Sequence, residues 1–126
     1  MLPDIVLQTD FGLTTGFVAS MYGVIRMVDQ SLDVFDLNHE IRPFDMRQGS
    51  FLLRDTIPYW KGGTVFVSVV DPGVGTARKS CVAKLSNGSY IVTPDNGTLT
   101  YVKERIGIVA VREIDESVNR YPTTRD

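Results

Sequence analysis

The sequence predicts a layered α/β domain with a mostly parallel central sheet, Rossmann-like in its alternation of strands and helices. Three observations carry this reading. Short β-rich runs alternate with amphipathic helical patterns. The run Thr64 to Val70, TVFVSVV, is nearly continuous in β-branched and aromatic residues, as a strand covered on both faces should be. Turn residues punctuate each change of period. With 126 residues and 43% hydrophobic side chains, the chain is expected to form one domain, residues 1–126, around one core.

In order, Ile5 to Gln8 reads as a buried strand. From Gly16 to Asp29, Phe17, Val18, Met21, Val24, Ile25 and Val28 fall on one helical face, with Thr14 or Thr15 as the expected cap. Leu32 to Leu37 is a second strand. Asp45 to Tyr59 is a second helix, with Met46, Leu52, Leu53 and Ile57 towards the sheet and Pro58 near its end. After the strand Thr64 to Val70, the runs Ser80 to Leu85 and Tyr90 to Thr93 flank Asn87-Gly88, a hairpin signal. The turn Pro94 to Gly97 leads into a short helix, Thr98 to Arg105, with Gly107 as its stop. Ile108 to Ile114 is a last strand, and the tail DESVNRYPTTRD is polar with no periodic apolar face.

Composition narrows the partners. Thirteen basic and fifteen acidic side chains, net charge −2, are mixed along the chain, with neither a stripe for nucleic acid nor a polybasic patch for a membrane. Small neutral or cationic molecules fit better. The N-terminus has no signal-peptide pattern and the chain no membrane-spanning run, so a cytoplasmic location is expected. The single cysteine, Cys81, reads as a buried strand residue in a reducing compartment. No metal site is expected: zinc takes about three N or S ligands, and one histidine with one buried cysteine does not supply them.

In open α/β sheets ligands bind outside the carboxyl ends of the strands. Three loops leave such ends with an acid: Asp10 in QTDFGLTTG, Asp71 in VDPGVGTAR and Asp95 in TPDNG. A fourth, LNHEIRPFD, carries His39, Glu40 and Phe44. An aspartate after a strand also serves as a turn or cap residue. Asp71 stands apart, because Asp-Pro-Gly completes a turn without Arg78. His39 reads as a hydrogen-bonded orienter of its loop. Gly73 and Gly75 let backbone amides converge on an anion, but no Walker lysine follows and the spacing does not match the dinucleotide fingerprint.

Four motifs in order, TDFG (Thr9 to Gly12), HEIRPFD (His39 to Asp45), VDPGVGTAR (Val70 to Arg78) and PDNG (Pro94 to Gly97), resemble the S-adenosylmethionine hydroxide adenosyltransferase family. These are S-adenosylmethionine hydrolases related to fluorinating and chlorinating adenosyl enzymes. The resemblance runs from the first strand to the last. It implies attack of water on the 5′ carbon of the adenosyl group, giving adenosine and L-methionine, with S-adenosylmethionine as substrate and no cofactor. Asp71 and Arg78 match the acid and the arginine associated with the attacking water; Asp71 would orient it and Arg78 would stabilise developing hydroxide. Asp10 matches the ribose-binding aspartate, whose carboxylate accepts from both hydroxyls. Phe44 matches an aromatic position near the substrate, and Asn96 is a rim candidate. Thr15 stands where the family often carries an acid near the amino end of methionine.

The family's water-associated histidine lies beyond the last residue of this sequence, ahead of a C-terminal β-barrel domain that the 126 residues do not include. The resemblance therefore implies the N-terminal domain of a trimeric enzyme, with substrate bound between one subunit's N-terminal domain and the next subunit's C-terminal domain. By itself the 126-residue chain is expected to fold without turning over. Two alternatives stand beside this reading: a halide-using adenosyl transferase, in whose relatives the DPGVG loop is altered, and a nucleoside-binding domain without turnover.

Overall fold

The computed structural model describes residues 2–71 and 79–119. Its elements are β1 (Ile5–Thr9), α1 (Phe17–Val28), β2 (Val34–Asn38), α2 (Met46–Thr56) continued by a 3-10 turn (Ile57–Tyr59), β3 (Val65–Val69), β4 (Ser80–Leu85), β5 (Tyr90–Pro94), α3 (Thr100–Arg105), β6 (Ile108–Glu113) and a short α4 (Glu116–Asn119). The strands form one six-stranded sheet in the order β2-β1-β3-β5-β4-β6. Pairings β1 with β2, β1 with β3 and β3 with β5 are parallel. β4 runs antiparallel to both β5 and β6. The mostly parallel α/β sheet read from the sequence is thus observed.

The antiparallel exception is local in origin. Ser86 to Ser89 allow only a tight reversal, in which Leu85 N–H donates to the Ser89 carbonyl (2.8 Å) and Gly88 takes φ 88°.

One face of the sheet carries the core. Val6, Phe66, Ala83, Leu85 and Ile91 from the strands meet Leu53 and Ile57 from the α2 region and Val102 from α3. Along β3 burial alternates, with Phe66 and Ser68 buried and Val65, Val67 and Val69 half-buried. The expectation that this strand is covered on both faces is therefore corrected: a continuous apolar run fits an unevenly covered strand equally well.

Chain direction explains the two-sided layering. β1 connects to β2 on one side and β2 returns to β3 on the other, so right-handed crossovers place α1 and α2 on opposite faces. The α1 face is shallower than its periodicity suggests: Val18, Met21, Val24 and Ile25 are half-buried, while Phe17 and Val28 are 59% and 72% exposed. Its cap also differs, since Gly16 is the N-cap and makes no side-chain cap bond; Thr15 instead accepts from Phe17 N–H two residues on (3.4 Å).

Helix α2 begins at Asp45, whose side chain accepts from Gln48 N–H (3.0 Å), while Gln48 Oε1 accepts from Arg42 N–H (2.9 Å). Its sheet-facing positions are Gly49, Ser50 and Leu53, followed by Ile57; Met46 and Leu52 are only half-buried. Small residues replace the large ones expected because the helix crosses close to β1: a Cβ on Gly49 would stand 3.2 Å from Gln8 Nε2. Pro58 has no N–H to extend α-helical bonding, so the expected helix to Tyr59 ends as α-helix at Thr56 and finishes as a 3-10 turn. α3 starts at Thr100, two residues later than expected, and the tail forms the short α4 where no helix was anticipated.

Candidate functional site

Strands β2, β1, β3 and β5 are neighbours and parallel, so their carboxyl ends lie along one edge of the sheet. The residues that follow them are His39, Asp10, Val70-Asp71 and Asp95-Asn96. The direction of chain progression reverses between β1 and β3, the switch point where a crevice opens in sheets of this kind. Asp10 and Asp71 follow the two strands that flank it.

Hydrogen bonds tie the four loops together. Gly12 N–H donates to the His39 carbonyl (2.8 Å), joining the β1 and β2 loops. Phe44 N–H donates to Asp10 Oδ2 (2.7 Å), joining them a second time. Asp10 N–H donates to the Val69 carbonyl (3.3 Å), tying the β1 loop to the end of β3. Asn96 Nδ2 donates to the Val70 carbonyl (2.8 Å), bringing the turn after β5 to the residue before Asp71. Among the described residues, the strand ends are therefore held to one another in a line that follows strand order.

Asp10 is half-buried and its carboxylate is aimed back at the HEIRPFD loop. Phe44 reaches this contact with a φ of 64°, a left-handed backbone that bulky side chains avoid, while its ring stays 58% exposed at the rim. Asp71 is 2% exposed. Arg78 and the rest of Pro72 to Arg78 lie outside the described residues, so the pairing of Asp71 with Arg78 is not part of this geometry. Thr15 is exposed on the loop that leads from β1 into α1, at the same end of the sheet. Asp95 is exposed as well.

Asn96 has a role in the scaffold. Besides its bond to Val70, its Oδ1 accepts from Thr98 N–H (3.1 Å) and from the Thr98 hydroxyl, so both ends of the amide hold the turn. Beside this turn, a groove of about 320 Å³ is lined by Phe44, Asp45, Met46, Arg47, Gly97, Thr100 and Tyr101. It brings the HEIRPFD and PDNG loops to opposite walls of one concavity. Arg47 Nε donates to the Tyr101 hydroxyl (3.0 Å), and Tyr101 stacks on Phe51 with ring centroids 4.1 Å apart. That bond and the phenol's charge push the Arg47 guanidinium pKa upward.

His39 is 4% exposed and orients its loop, as expected, but through partners that sequence reasoning did not name. Its Nδ1 lies 2.8 Å from Thr9 Oγ1 and its Nε2 lies 2.7 Å from Asp36 Oδ1. Burial, then the nearby Asp36 carboxylate, pushes the Tyr22 phenol up to about 12. The signal that could have found Thr9 was the Gln8-Thr9 pair: two polar residues closing an apolar strand, both 0% exposed.

Residues 5–125 match the family model described as the SAM hydroxide adenosyltransferase N-terminal domain. An (R)-S-adenosyl-L-methionine hydrolase from Methanocaldococcus jannaschii is 41% identical over 120 residues, covering 92% of this chain and 45% of that protein. A fluorinase from Actinoplanes sp. is 27% identical over 137 residues, covering 91% of this chain and 46% of its own length. The crystal structure of an uncharacterized conserved protein from Thermotoga maritima superposes with a TM-score of 0.85 at 41% identity, covering 89% of this chain and 43% of that one. The chain thus spans about half the length of the curated relatives it matches. With the family model spanning nearly all of the sequence, the chain belongs to the S-adenosylmethionine hydroxide adenosyltransferase family, whose N-terminal domain it represents.

Proposed function

We propose that this domain supplies the aspartate-bearing wall of an active site that hydrolyses S-adenosylmethionine to adenosine and L-methionine. One observation carries the reading: the loops bearing Asp10, Phe44 and Asp71 are tied by hydrogen bonds into one rim at the switch point of the sheet. The hydrolase name of the Methanocaldococcus jannaschii relative supports the same chemistry. The greater identity to that hydrolase than to the fluorinase favours water over halide as nucleophile.

The reaction suits these residue types. The water oxygen forms a bond to the 5′ carbon as the carbon–sulfur bond breaks, and the electron pair passes to sulfur. The sulfonium becomes a neutral thioether, so the leaving group needs no proton. Water loses one proton to solvent. A poor nucleophile must be oriented in line with the breaking bond, and Asp71, buried beside the switch point, is assigned to that task, with Arg78 stabilising the developing hydroxide. Asp10 accepts from the ribose hydroxyls through the carboxylate oxygens that Phe44 N–H helps to aim. Phe44 lays its ring against the adenosyl or sulfonium region, and Thr15 faces the methionine end. The working enzyme is proposed to be a cytoplasmic homotrimer in which a second domain closes the pocket and excludes bulk water, which strengthens every charge inside it.

The test is to incubate the full-length gene product with S-adenosylmethionine in halide-free buffer and to resolve the products by chromatography. Adenosine and methionine in equal amounts are expected, unchanged when chloride is added. 5′-Chloro-5′-deoxyadenosine as the main product in chloride would replace hydrolysis by halide transfer. Adenosine binding without turnover would leave a nucleoside-binding domain.

A further inference from the structure

We propose that His39 is a positioning residue for Asp10, acting through Thr9; the proposal rests on the reading that Asp10 binds a ribose. The direction of the Nε2 bond follows from donor and acceptor inventory. The Asp36 carboxylate only accepts, so the proton in the 2.7 Å contact sits on His39 Nε2. Nδ1 lies 2.8 Å from the Thr9 hydroxyl, within hydrogen-bond distance. Thr9 Oγ1 in turn accepts from Phe11 N–H at 3.1 Å. One residue further on, Gly12 N–H donates to the His39 carbonyl at 2.8 Å.

The two amides directly after Asp10 are therefore fixed by one histidine, the first through Thr9 and the second through its own carbonyl. Asp10 N–H is fixed on the other side by Val69, and its Oδ2 by Phe44 N–H. This leaves the carboxylate little freedom to turn, which is what simultaneous acceptance from two vicinal hydroxyls demands. Thr9 is 0% and His39 4% exposed, so water does not substitute for either partner without opening the loop. Asp36, with its side chain 47% exposed, holds Nε2 from the solvent side.

The experiment measures the dissociation constants of adenosine and 2′,3′-dideoxyadenosine for the full-length gene product and three variants, Thr9→Val, Thr9→Ser and Asp10→Asn. Wild type is expected to prefer adenosine. Thr9→Val narrows that preference by about five- to tenfold, the worth of one hydrogen bond, and Thr9→Ser retains it. A residue that only stabilised the fold would weaken both nucleosides alike, so equal loss for both, or no loss, overturns the proposal while the ribose reading survives on a collapsed preference in Asp10→Asn. A preference untouched by Asp10→Asn removes the ribose reading and this proposal with it. A second measurement needs no variant. In the 126-residue chain His39 is the single histidine, so its nitrogen magnetic resonance spectrum reports the tautomer directly. A protonated Nε2 is expected, and a bare Nε2 overturns the proposal.

Discussion

Truncating Asn96 to alanine removes three hydrogen bonds at once: the one Nδ2 donates to the Val70 carbonyl and the two Oδ1 accepts from Thr98. Val70 and Thr98 are 0% and 1% exposed, so water replaces these bonds only by prising the turn open. At about 1 kcal/mol net per bond the loss is about 3 kcal/mol. With an unfolding entropy of about 2.1 cal/mol/K for each of the 126 residues, that corresponds to a fall of about 11 °C in Tm. Asn96→Asp separates the components. It keeps both acceptor bonds but sets a carboxylate oxygen against the Val70 carbonyl, so it is expected to be destabilised at neutral pH. It should recover on acidification, when the protonated carboxyl again donates. Thermal unfolding followed by circular dichroism reads both variants. A Tm for Asn96→Ala within about 2 °C of wild type would refute the reasoning, leaving the amide with no structural role beside Asp71.

Three further outcomes are expected. Cys81 is 6% exposed, and burial, then the Asp95 charge, raises its thiol pKa; an aromatic disulfide reagent should leave it unmodified until denaturant is added, and rapid native labelling would contradict this burial. Tyr22 titrates from 10.0 when unfolded to about 12 when folded, so the native state keeps its proton longer. That contribution to stability is present below pH 10.0 and is lost as the pH climbs through about 12; the denaturation midpoint of Tyr22→Phe should therefore fall less steeply across this window, and identical slopes would count against it. Gly107 has φ 95°, and an added Cβ would stand 2.5 Å from Ser86 Oγ. Gly107→Ala should cost at least about 1–2 kcal/mol, read as a lowered urea midpoint, and an unmoved midpoint would show that the turn relaxes freely.

Much of the fold was legible because its signals are local. The Asn87-Gly88 turn and the Gly107 stop each act through their own backbone, and each stands where the sequence put it. The depth of burial was not legible, since it depends on elements remote in the chain. The apolar stripe of α1 identified a helix but not how far it sinks, and the Gly49-Ser50 contact of α2 reflects a close approach to Gln8 from 41 residues away. The rim was foreseen because strand ends in a parallel sheet share an edge. Its internal bonds were not, because Thr9, His39 and Asp36 become partners only after β1 and β2 pair.

Phe44 pays a conformational penalty at φ 64° that glycine would escape, on the order of 1–2 kcal/mol. Stability and site geometry therefore pull in opposite directions at this one codon. Under selection for thermal robustness alone, drift should carry position 44 towards glycine, which relaxes the backbone and erases the ring in the same step. Lineages that must retain the rim are held at an aromatic residue despite the penalty. Passaging a library under each regime would make position 44 a recorder of which pressure the gene experiences, and persistence of phenylalanine would be the imprint of selection on the pocket over selection on the fold.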